Sequence, residues 1–181
     1  MSAPERSEAP VIRAARPEDV GLLLELFRDL AAYERLEHEL HATPELITEA
    51  LFGERPAAEA LIAEHGGATA GYALFFPTFS SFLAVPGMWL EDLFVRPEHR
   101  GAGVGKALLA AVAARVRELG GGRLEWAALD WNELALGFYK RLGARTMNEW
   151  ITHRLVGDDL VRLADEAAPV PGTARAAGER R

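Results

Sequence analysis

The stretch "LFVRPEHRGAGVGKALL", positions 93 to 109, most narrows what this chain can become. An apolar run leads into a turn holding Arg100, Gly101, Ala102, Gly103, Val104, Gly105 and Lys106, and the apolar-periodic segment to Leu119 follows without a break. That order reads as strand, glycine turn and long helix, which excludes an all-α or all-β fold. A glycine-rich turn at a helix start aims backbone N–H groups and the positive end of the helix dipole at one spot, where an anion is held best. The glycines let the backbone approach such a ligand without Cβ clashes, and Arg100 adds a charge-assisted contact. The segment is not a P-loop, because Lys106 is followed by Ala107, and no G-x-G-x-x-G dinucleotide fingerprint occurs. Taken alone, the glycines are open to two readings: a phosphate site, or a tight strand-to-helix turn.

The rest of the chain sets the bounds. With 181 residues, 49% hydrophobic and 26% charged, it has the balance of one compact globular domain. No window is apolar enough to span a membrane, and "MSAPERSEAP" lacks the hydrophobic stretch of a signal peptide, so a cytoplasmic protein with no membrane partner is expected. The absence of cysteine rules out disulfides and thiolate nucleophiles. A net charge of -7 disfavours nucleic acid as a partner and suits a cationic small substrate, although surplus acid also simply keeps a protein soluble. Residues 1 to 10 and 165 to 181 read as tails, the latter disordered, around a single working domain of 11 to 164.

Within it, "VIRAAR" predicts a strand and "PEDVGLLLELFRDLAAYE" a helix opened by Pro17, with Leu22, Leu23, Leu26 and Leu30 toward the core. "TPELITEALFG" predicts a second helix capped by Thr43, and "ALIAEHGGATAGYALFF" a hairpin turning at His-Gly-Gly. "MWLEDLFV" and "RLEWAALD" predict strands on either side of the long helix, "NELALGFYKRLG" a helix capped by Asn132, and "WITHRLV" a last strand. The class is mixed α/β (α+β): a twisted, mostly antiparallel sheet flanked by helices.

These segments carry a resemblance. "LFVRPEHRGAGVGKALL" resembles motif A of the GNAT family of acyl-CoA-dependent N-acetyltransferases, and "DWNELALGFYKRLGA", 130 to 144, resembles its motif B. "LAAYERLEHEL", "LFGERP" and "LEDLFV" add a likeness to the diamine (spermidine/spermine) and thialysine acetyltransferase branch over about 11 to 156. "PTFSSFLAVPGM" departs from the animal polyamine enzymes, which leaves the amine itself open. The resemblance implies the GNAT fold, with acetyl-CoA held between splayed central strands. Its pyrophosphate would lie on Arg100 to Lys106 and its pantetheine along Leu93, Phe94 and Val95, where a bulge parts the strands, with Asn132 and Phe138 also at the cofactor. The branch further implies a homodimer.

The chemistry asks for a base, because an amine is protonated at neutral pH and must lose a proton before attacking a thioester, and for an acid to protonate the departing thiolate. The resemblance makes Tyr139 the acid. In "WLEDLFV", strict alternation sends Glu91, Leu93 and Val95 to one face and Leu90, Asp92 and Phe94 to the other, putting a carboxylate on each face of an apolar strand. Glu91 is the expected base or water-holder; it, Asp92, Tyr33, Glu34 and Trp89 are expected around the amine, with a buried ion pair and a core tryptophan as the plain alternatives. His38, His41, His65, His99 and His153 show no metal-ligand spacing, so no metal is expected. Three functions stay in play: acetyl transfer to a small cationic diamine, polyamine or lysine-like amine; protein or peptide N-acetylation; and a non-catalytic CoA or polyamine sensor.

Overall fold

The computed structural model describes residues 8–168. The chain divides into two compact units between Trp131 and Asn132.

The first unit is built on a five-stranded sheet in the order β1-β2-β3-β4-β5. Strands β1 (Val11–Ala14), β2 (Glu59–His65), β3 (Ala68–Ser80) and β4 (Val85–Val95) pair antiparallel, and β5 (Leu124–Trp126) joins β4 in parallel. The fold is α/β, with the mostly antiparallel sheet the sequence predicts. Gly66 and Gly67, both at positive φ, close β2 onto β3 in a two-residue hairpin whose twist suits the strands.

Helix α1 (Val20–Glu34) follows a 3-10 turn at Pro17–Asp19 and buries Leu23 and Leu26 completely, with Leu22 and Leu30 half-buried beside them. The buried Asp19 carboxylate accepts from the Arg13 guanidinium at 2.7 and 2.9 Å, which fixes this turn to β1. Helix α2 (Pro44–Phe52) is capped by Thr43, whose Oγ1 accepts from the Leu46 amide. Val20, Leu23, Leu24, Ile47, Leu51 and Ile62 form one core cluster; Leu26, Tyr72 and Phe94 form its neighbour. Helix α3 (Val104–Glu118) packs against β2, β3 and β4 and buries Val104, Leu108, Leu109, Val112 and Val116.

The register of β4 corrects strict alternation. Leu90 pairs with Phe75 and Asp92 with Leu74, so Glu91 is an extra residue bulging from the ladder. Directly paired residues share a face, and Leu74 and Phe75 are neighbours on β3. Asp92 therefore lies with Leu74, Tyr72 and Phe94, while Leu90 lies on the opposite face.

In the second unit, α4 (Glu133–Arg141) begins at Asn132, whose Oδ1 accepts from the Ala135 amide at 3.2 Å. It ends before Gly143, at φ 86°. The strand expected over "WITHRLV" does not form: residues 150 to 156 are irregular and exposed. A strand needs a neighbour for its backbone N–H and C=O groups, and these residues have none among the described ones. The strand expected over "RLEWAALD" is confined to Leu124–Trp126. Helix α5 (Gly157–Asp165) runs to the start of the expected tail; residues 1–7 and 169–181 of the tails lie outside the described residues. No helix among the described residues is long and apolar enough to cross a membrane.

Candidate active site

Strand β4 loses its neighbour halfway along. It pairs with β5 only over Met88–Leu90, so Glu91 to Val95, including Leu93, Phe94 and Val95, have no strand beside them on that edge among the described residues. The backbone of Glu91 to Val95 thus presents an open edge to which an extended ligand can add as a strand does.

The bulge concentrates acid at the point of opening. Tyr72, completely buried on β3, donates its hydroxyl to Asp92 Oδ2 at 2.9 Å. Burial pushes the Asp92 carboxyl up to about 6, assisted by the charges of Glu91 and Glu34 and opposed by the Tyr72 hydrogen bond. Burial also raises Glu34, at the end of α1, above the usual carboxylate range. The Tyr72 hydroxyl is pushed well above its ordinary value, first by burial and then by Asp92. Glu91 is exposed and accepts from the Trp89 indole N–H at 2.9 Å. Glu34 at the end of α1 and Trp89, Glu91 and Asp92 on β4, all expected around the amine, thus lie about one bulge.

At the far end of β4 the chain enters the glycine turn. Gly101 and Gly103 sit at φ 82° and 85°, in the left-handed region that favours glycine, and a Cβ built on either meets nothing within 4 Å. Val104, Gly105 and Lys106 open α3, where first-turn amides have no carbonyl one turn back. Of the five partly buried arginines, Arg13, Arg96, Arg115 and Arg123 each pair with a carboxylate. Arg100 alone has no such partner among the described residues; its Nε donates to Val95 O at 2.9 Å. An uncompensated cation, two left-handed glycines and a helix start share one turn, which fits a phosphate-bearing ligand. Tyr33, Phe94, Arg96 and Arg100 line a cleft of about 500 Å³ beside it.

In the second unit, Phe138 and Tyr139 lie consecutively on α4 with ring centroids 5.3 Å apart. The described residues hold no group of three or more His, Asp or Glu side chains able to bind a metal. Sequence reading missed Tyr72, whose partnership with Asp92 depends on a register across twenty residues, and Trp131, whose ring lies 6.2 Å from that of Tyr33. A tyrosine on an apolar strand, otherwise a plain core residue, was the one available signal for the first.

A parallel β4–α3–β5 crossover, with β4 parting from β5 after Leu90 and a glycine turn opening α3, sets this chain among the α/β proteins. Residues 23–144 match the acetyltransferase (GNAT) family, and the chain belongs to it; it is an acetyl-transferring enzyme. It is 34% identical to an L-ornithine N5-acetyltransferase of Arabidopsis thaliana over 82% of this chain and 85% of that protein. It is also 34% identical to the thialysine N-epsilon-acetyltransferase of Bos taurus, over 85% of this chain and 96% of that one. Among solved structures, an integron cassette protein from the mobile metagenome of V. cholerae superposes with a TM-score of 0.73 at 25% identity, over 87% of this chain and 98% of the other.

Proposed function

We propose that this protein transfers acetyl from acetyl-CoA directly to a primary amine of a small cationic substrate: a diamine, a polyamine or a lysine-like amine. The observation that carries the reading is the acid cluster at the β4 bulge, where Glu34, Glu91 and the half-buried Asp92 meet the open strand edge. The relatives named for ornithine and thialysine, both small cationic amines, support the same substrate class.

In this reading Arg100, Gly101, Ala102, Gly103, Val104, Gly105 and Lys106 bind the phosphates. The backbone of Leu93, Phe94 and Val95 holds the pantetheine, and the family resemblance assigns Asn132 and Phe138 a part in cofactor binding. Acetyl-CoA supplies the thioester carbonyl. Asp92, in place of the Glu91 expected as base, takes the proton that the substrate ammonium must lose and passes it to solvent, a task for which a carboxyl near 6 is better matched than an ordinary one. Glu91, exposed at the bulge, and Glu34 hold the cation or an intervening water, with Tyr33 and Trp89 as walls. The amine nitrogen bonds to the carbonyl carbon, the carbon–sulfur bond breaks, and Tyr139 gives its proton to the departing sulfur. The amide nitrogen sheds its second proton to solvent, which returns one to Tyr139.

The test is thiol release from acetyl-CoA with putrescine, spermidine, lysine, ornithine, thialysine and an N-terminal peptide. A preference for one small cation is expected. Turnover of the peptide alone would replace the proposal with peptide N-acetylation.

A further inference from the structure

Arg100 is held without being neutralised. Its guanidinium carbon lies 4.6 Å from the centroid of the Tyr33 ring, and its Nε donates to the Val95 carbonyl. Arg96, four residues earlier and lining the same cleft, is instead bound by Glu25 and by Asp29, whose Oδ2 is 3.0 Å from its Nε. The two arginines are prepared for different duties. An anion approaching Arg96 must compete with two carboxylates, whereas one approaching Arg100 meets an undiminished positive charge. A ring face attracts a cation through its quadrupole and leaves the charge in place. The ring contact and the Nε bond to Val95 together restrict the movement of the fork. The outer N–H groups of Arg100 then have a defined direction before any ligand arrives, and less ordering remains to be done on binding. Trp131 flanks the Tyr33 ring at 6.2 Å, tilted by 48°, and bounds the space in which the ring can turn.

We propose that Tyr33 is a positioning residue for the anion site, its ring presenting the Arg100 guanidinium to the phosphates of CoA, rather than solely a wall of the amine site. The inference rests on the reading above that Arg100 and the glycine turn take those phosphates.

The test measures CoA binding by calorimetry on the full chain, alongside KM values for acetyl-CoA and for the preferred amine. Tyr33→Leu removes the ring and is expected to weaken CoA on the order of tenfold, the scale of a partly desolvated cation–π contact, with a smaller rise in the amine KM from the lost wall. Tyr33→Phe keeps a ring face and is expected to recover most of that loss. Arg100→Lys keeps the charge without the planar guanidinium and is expected to lose about as much as Tyr33→Leu, and the double variant little more than either. Folding of each variant is verified by circular dichroism, and the Arg100→Lys arm stands if Tyr33→Leu does not fold. Unchanged CoA affinity in Tyr33→Leu with a raised amine KM would overturn the inference, and so would fully additive losses in the double variant. Tyr33→Phe failing like Tyr33→Leu would move the role to the hydroxyl and overturn it as well. Wild-type chain that binds no CoA would instead remove the anion-site reading on which it stands.

Discussion

Asp92 is costly to the fold when ionised. Its carboxyl titrates near 6 in the folded chain and near 4 when unfolded. Below about pH 4 it is protonated in both states, and above about 6 it is ionised in both; between them the folded chain keeps the proton more tightly, so stability falls as pH rises through this window. The accumulated cost at neutral pH is about 3 kcal/mol. Asp92→Asn stays neutral, and its amide oxygen still accepts from Tyr72. The variant is therefore expected to melt higher than wild type at pH 7.5 and alike at pH 4, while its turnover drops about a hundredfold or more and the acid limb near pH 6 disappears. Thermal unfolding at both pH values, beside a pH profile of kcat/KM, reads this out. Equal turnover would remove Asp92 from proton transfer.

The behaviour of β4 as an element depends on how closely β3 approaches it. A Cβ on Gly71 would lie 2.2 Å from the Phe94 carbonyl oxygen, a backbone atom that moves only with its strand. Gly71→Ala is expected to destabilise by about 3 kcal/mol, on the order of 10 °C in Tm, and to raise the KM for acetyl-CoA as the open edge shifts. Calorimetric melting and initial rates test both parts. Most elements were legible before the structure: helix starts at Pro17, Thr43 and Asn132, the Gly66–Gly67 hairpin, and the strand–turn–helix at 93 to 119. Those signals are local, carried by caps, turns and periodicity within a few residues. The bulge at Glu91 was not legible from alternation, since an extra residue in one strand is defined only against its partner. That bulge turns Leu90 to the opposite face while Asp92 stays beside Tyr72, so the surroundings of the cluster turn on a long-range register. The segment "WITHRLV" failed for the opposite reason: its local pattern is that of a strand, but a pattern supplies no neighbour.

At the scale of the whole molecule, that segment carries the expectation of a homodimer. Trp150 and Ile151 are 71% and 79% exposed, and α5 adds Leu160, Val161 and Leu163 on its surface. A second copy could satisfy both the apolar side chains and the backbone of residues 150 to 156. Sedimentation equilibrium is expected to give twice the 19.7 kDa chain mass, and Ile151→Asp with Leu155→Asp to return the monomer. A wild-type monomer at all concentrations would refute the pairing. The open edge of β4 also bears on solubility. Unpaired backbone within a sheet is a template for strands of other molecules, and proteins guard such edges with bulges and inward charges. The bulge at Glu91 and the carboxylates of Glu91 and Asp92 stand at that opening, so they also serve as gatekeepers against self-association. Drift toward apolar residues at these two positions would be opposed by aggregation even in a lineage that had lost all need for catalysis.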